Sequence, residues 1–129
     1  MNILFDTHTF LWFMEGKADP KRTSERYIKN LENTVFFSAA SYWEICIKIS
    51  IGKLRLKENW QRTIDDVLLN NRITWLDIKK EHLNSTIDLP WHHRDPFDRL
   101  LIAQAVVEGC LFYTADGTLS EYGVEILGK

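Results

Sequence analysis

Asp6, Glu44, Asp98 and Asp116 are the side chains whose type and placement invite chemistry. They lie far apart in the chain. Each falls where a short apolar run ends or an amphipathic stretch begins. In a parallel α/β sheet, strand ends and helix starts share one edge, the crevice outside the carboxyl ends of the strands. Four carboxylates gathered there would repel, each close pair by roughly 4 kcal/mol at about 4 Å with an effective dielectric of about 20. A hard cation such as Mg²⁺ or Mn²⁺ would neutralise them, because such ions favour oxygen ligands. The chemistry expected of the group is phosphodiester hydrolysis by a water that the cation activates.

Each acid has a plain structural reading beside the chemical one. Asp6 is a favoured helix N-cap with a helical pattern directly after it. Ser41-Tyr42-Trp43-Glu44 fits a capping box, in which the glutamate reaches back to the cap residue, unless Ser38 is the true cap. In Asp95-Pro96-Phe97-Asp98, Asp95 reads mainly as the cap and Pro96 as the first helical residue. Asp98 then lies in the first turn, where the helix dipole keeps a carboxylate ionised. Asp116, in Thr-Ala-Asp-Gly, also fits an ordinary turn, and the Thr114 hydroxyl stands two residues before it. The functional reading rests on the agreement of the four positions, not on any one of them.

Weaker candidates surround these. Thr7, His8 and Arg99 are expected to support the acids from beside them. His92, His93 and Arg94 form a polar loop able to touch phosphates, or simply a solvated one. Lys48 and Lys53, with Arg55, Lys57 and Arg62, make the middle of the chain locally basic. That fits a nucleic-acid-facing edge and equally a wet surface. No histidine pair has zinc-helix spacing, and there is no phosphate-binding glycine loop and no GxSxG. A phosphatase using Asp6 as nucleophile would want an acid two residues on, where His8 stands.

The elements that must position these residues follow from the apolar pattern. Strands are expected at Asn2 to Phe5, Thr34 to Phe37, Ile73 to Leu76, Leu111 to Thr114 and Val124 to Leu127. Helices are expected at Thr7 to Met14, from Asp19-Pro20 to Leu31, Ala40 to Ile51, about 57 to 70, Lys79 to Asp88, and Asp95-Pro96 to Gly109. Strands separated by helices argue for a parallel sheet covered on both faces.

With 129 residues, 45% of them hydrophobic, the chain is expected to form one domain with a core that needs no disulfide. Cys46 and Cys110 have no metal-ligand spacing and read as core residues of a reducing compartment. The net charge of −2 argues against nucleic-acid binding by bulk charge alone. No apolar window is long enough to span a membrane, and Asp6 interrupts the first apolar run, so a cytoplasmic protein is expected.

Four segments, ILFDTHTFLW, SAASYWEICIKISIGKL, HRDPFDRLLIAQA and YTADGTLSEYGVEIL, resemble the successive signatures of PIN-domain proteins. Within these they resemble the VapC-type toxins of prokaryotic toxin–antitoxin pairs, over essentially the whole chain. The resemblance matches the family's acids to Asp6, Glu44, Asp98 and Asp116, and its polar residue before the last acid to Thr114. It implies an α/β/α sandwich, Mg²⁺ or Mn²⁺ dependence, homodimers and a VapB-like antitoxin that blocks the site. It also implies an endoribonuclease acting on structured RNA such as transfer or ribosomal RNA. The competing expectation is a non-catalytic PIN-like domain that binds a partner, with the acids serving as caps and turns.

Overall fold

Ile3, Leu4 and Phe5 are all fully buried, although successive side chains of a strand point to opposite faces. Such a strand is covered on both sides, and β1 (Asn2–Phe5) is accordingly central in the sheet. The computed structural model describes residues 1–16, 24–92, 94–114, 122 and the backbone of 126–127. β2 (Thr34–Ser38), β3 (Ile73–Leu76), β4 (Leu111–Tyr113) and β5 (Ile126–Leu127) complete a five-stranded sheet in the order β3-β2-β1-β4-β5. All pairings are parallel: Ile3 lies opposite Val35 on one side and Leu111 on the other.

The alternation of β1 divides the core. Ile3 and Phe5 face a cluster with Phe10 and Leu11 of α1 (Thr7–Met14), Ile28 of α2 (Ser24–Lys29), Ile45 of α3 (Ala39–Ser50) and Ile64 of α4 (Trp60–Asn70). Phe10 and Phe37 stack there at 4.0 Å between ring centres. Leu4 faces the other cluster, with Phe112 and with Leu101, Ile102 and Ala105 of α6 (Pro96–Glu108). α5 (Lys80–Ser85) packs beside α6. The expected α/β class with a parallel sheet and helices on both faces is therefore what the chain forms.

Several boundaries differ from the sequence reading, each for a local reason. α2 ends at Lys29 rather than Leu31, because the Asn30 side chain accepts from Glu32 N at 3.0 Å and turns the chain. α4 begins at Trp60, not 57. Leu56 packs on the core from outside the helix. α5 stops at Ser85 and passes into a 3₁₀ turn, Thr86–Asp88, where the Thr86 hydroxyl bonds back to Leu83 O at 2.6 Å. α6 ends at Gly109 as expected, at a φ of 66° that makes a left-handed cap a side chain would strain. The expected helix start at Asp19-Pro20, and Val124 of the last strand, lie outside the described residues.

Candidate functional site

Asp6 is the first residue after the central strand. Its backbone N–H donates to Tyr113 O at 3.0 Å, tying the end of β1 to the end of β4 and setting Asp6 beside buried Thr114. Its Oδ1 accepts from Thr9 N at 2.8 Å, so Asp6 does cap α1. Capping occupies one carboxylate oxygen, and the residue remains largely buried. The cap reading and the site reading are compatible.

Glu44 is placed by a different route. Ser38, the last residue of β2, caps α3 by accepting from Ala40 N at 3.0 Å. This excludes the Ser41–Glu44 capping box and releases Glu44 from that duty. Thr7 Oγ1 lies 2.6 Å from Glu44 Oε1 and 3.0 Å from Ser41 Oγ. A hydroxyl has a single proton, and the carboxylate is the stronger acceptor, so Thr7 donates to Glu44 and Ser41 donates to Thr7. On its other oxygen, Oε2, Glu44 holds the Lys48 ammonium at 2.9 Å. The Ser38 hydroxyl also meets Gln104 Oε1, and Gln104 Nε2 donates to Asp77 O at 3.2 Å. Buried Gln104 thereby pins α6 beneath the ends of β2 and β3.

The start of α6 approaches from a loop. Asp95 caps it, accepting from Phe97 N at 2.8 Å and Asp98 N at 3.2 Å. Asp98 sits half-buried in the first turn. The Phe97 ring packs edge-on against Trp43, with centres 5.2 Å apart, so the neighbours of Asp98 and Glu44 are in contact. Asp116 and His93 lie outside the described residues. Among the described residues, no three His, Cys, Asp or Glu side chains form a group that could hold a metal.

The weaker candidates separate. Thr7 is buried on Glu44. His8, the next position around α1, is exposed and leans toward Trp12 at 6.4 Å. Arg99 is buried but engaged elsewhere: Nη1 donates to Pro90 O at 2.8 Å, and Nη2 to Thr86 O at 3.0 Å and Leu89 O at 3.2 Å. Its guanidinium also lies 3.7 Å over Trp91. It clamps the loop that precedes α6. Lys48 is not a solvated charge but the partner of Glu44. Lys53, His92 and Arg94 are exposed, and the His92 ring lies 5.1 Å from that of Tyr122. Arg94 borders an apolar groove of about 600 Å³ with Trp43, Ile87, Trp91 and Phe97.

Ser38 is the cap that the sequence offered as the alternative to Ser41, whereas Gln104 and the bond of Ser41 to Thr7 were not anticipated from the sequence. Of the latter two, only Ser41 left a signal there, since Ser41, Glu44 and Lys48 recur at helical spacing along one stripe of α3. The donor set fits a hard cation. It offers carboxylates and hydroxyls, and an ammonium already sits on Glu44, the most buried acid among the described residues.

A five-stranded parallel sheet flanked by helices on both faces, with Asp6 directly after its central strand, defines the α/β class of this domain. The chain belongs to the PIN-domain family, whose sequence pattern matches residues 3–125. Its fold is similar to a chain of VapBC2 from Rickettsia felis, bound there to a DNA fragment from its promoter (18% identity, TM-score 0.74, 98% of both chains covered). It is also similar to DNA-bound VapBC from Salmonella typhimurium (17% identity, TM-score 0.71, covering 98% of this chain and 97% of that one). A third likeness is to a toxin–antitoxin complex from Klebsiella pneumoniae (16% identity, TM-score 0.64, covering 97% and 95%). Among curated proteins none matches.

Proposed function

We propose that this chain is a VapC-type toxin, an endoribonuclease that hydrolyses RNA with the help of Mg²⁺ or Mn²⁺. The supporting observation is two buried acids: Asp6 directly after β1 and beside the end of β4, and Glu44 on α3, held by Thr7 of α1. Asp6, Glu44, Asp98 and Asp116 would hold the cation. When bound, it supplies Lewis acidity and a water acidified enough to act as nucleophile. The chain's own residues do the rest. Thr7 and Ser41 orient Glu44, the Asp95 cap positions the first turn that carries Asp98, and Thr114, next after the Tyr113 that bonds Asp6, would supply a hydroxyl on that side. A structured RNA such as transfer or ribosomal RNA is the substrate class that the family reading favours.

The partner in this reading is a VapB-like antitoxin, and the working unit is a homodimer in the cytoplasm. Among the described residues no helix is long and apolar enough to cross a membrane. Ile87 and Trp91, 77% and 74% exposed beside the groove at Trp43, offer apolar surface for such a partner.

Incubating total RNA with the purified protein in Mn²⁺, Mg²⁺ or EDTA, with Asp6→Asn alongside, tests the assignment. Asparagine keeps a cap acceptor, so this variant should melt like the parent in EDTA. Its cleavage should fall on the order of 10²–10³-fold. Products should carry 5′-phosphate and 3′-hydroxyl ends, because water is the nucleophile. Ends bearing 2′,3′-cyclic phosphate would sink the mechanism. No cleavage together with no Mn²⁺-induced melting shift would favour the partner-binding domain, for which the observed capping by Asp6 and Asp95 already speaks.

A further inference from the structure

The same ion-pair spacing occurs twice in this molecule with different surroundings. Lys29 and Glu25 in α2 are four residues apart, 4.0 Å between charges, with side chains 79% and 62% exposed. Lys48 and Glu44 in α3 have the same spacing at 2.9 Å, but their side chains are 32% and 7% exposed. The first pair is a surface contact that water largely screens. In the second, a carboxylate removed from water requires a counter-charge, because a buried unpaired charge is strongly disfavoured. Thr7 satisfies Oε1 and the Lys48 ammonium satisfies Oε2, so both oxygens of Glu44 are engaged.

We propose that Lys48 is the internal counter-cation of Glu44, which holds that carboxylate in the metal-free protein and which a divalent cation must displace. Lys48 is thus a positioning residue that sets how tightly the site takes metal. The assignment rests on the proposed role of Glu44 as a metal ligand. The ammonium is suited to the exchange. It is a compact charge on a flexible four-carbon stem, and the third of the side chain that is exposed gives it somewhere to go. Thr7 remains on Oε1 throughout, so Glu44 does not have to be repositioned when its second partner changes.

Titration calorimetry with Mn²⁺ on the full chain, comparing the parent with Lys48→Met, Lys48→Gln and Lys48→Arg, tests this. Removing the competing charge should tighten Mn²⁺ binding about three- to tenfold in the Met and Gln variants. Arginine keeps the counter-cation and should leave the affinity near the parent's. In EDTA the Met variant should melt below the parent, and Mn²⁺ should raise its melting temperature by more. Affinity unchanged or weaker in both neutral variants would overturn the role of Lys48, while Mn²⁺ binding by the parent would leave the metal reading intact. No Mn²⁺ binding by the parent would overturn both.

Discussion

Glu44 and Asp98 stand near the starts of two helices that meet through Trp43 and Phe97, yet they are held in opposite ways. Glu44 belongs to the sheet. Its helix leaves β2 at Ser38 with no intervening loop, and its carboxylate is buried and bonded on both oxygens. Asp98 belongs to a loop. Its helix begins after the stretch that follows the 3₁₀ turn, and its first turn depends on Asp95 and on the Arg99 clamp. A carboxylate fixed by a sheet edge is oriented before any ligand arrives. One carried on a loop is only as well placed as the groups that close the loop.

The contrast can be broken most forcefully at Arg99. Arg99→Met removes a buried guanidinium from three carbonyls and should cost about 3 kcal/mol, read by urea unfolding. A loss below about 1 kcal/mol would mean the loop is held by something else. On the sheet side, Thr7→Val should cost about 1–2 kcal/mol and weaken Mn²⁺ binding about 10–100-fold, with Thr7→Ser close to the parent. Equal Mn²⁺ affinity in the valine variant would show that Glu44 needs no orientation. Asp95→Ala should cost about 1 kcal/mol, and Asp95→Asn should restore most of it. A full loss with asparagine would assign Asp95 more than a cap.

The two thiols sharpen the comparison with the least disturbance. Burial, with Glu108 adding to it, pushes the Cys110 thiol up to about 11 from the ordinary 9.0, so little thiolate exists at pH 8. Half-buried Cys46 on α3 should therefore alkylate first at that pH, and Cys110 only as the pH approaches its raised value. Equal rates by mass spectrometry would reveal that the α6–β4 side opens readily.

Patterns with a short range were readable from the chain. β1, α1 and β3 fall at their expected residues, because alternation and helical spacing are local. The Asp95-Pro96 start and Gly109 stop of α6 also hold, since caps are written within a few residues. What escaped needed the third dimension. The spacing of Glu44 and Lys48 was visible, but not the burial that separates it from Lys29 and Glu25. The chain offered both Ser38 and Ser41 as the cap of α3, and the direct start of the helix at the strand end decides for Ser38. Arg99 and His8 were expected near the acids through sequence adjacency. Neighbours on a helix point about 100° apart, so Arg99 turns from Asp98 to the loop carbonyls, while His8, two residues past the cap Asp6, is exposed.

The central place of β1 bears on when the protein becomes itself. The strand that leads into Asp6 is made first, but it pairs with β2 on one side and on the other with β4, close to the far end of the chain. A nascent chain therefore carries its first acid long before it has the strand that seats it. Contacts of such separation form late and together. A polypeptide that ended before Leu111 would carry Asp6 and Glu44 but lack the strand whose carbonyl, at Tyr113, receives the Asp6 N–H. In this topology, the second neighbour of the central strand is supplied only when β4 has been made.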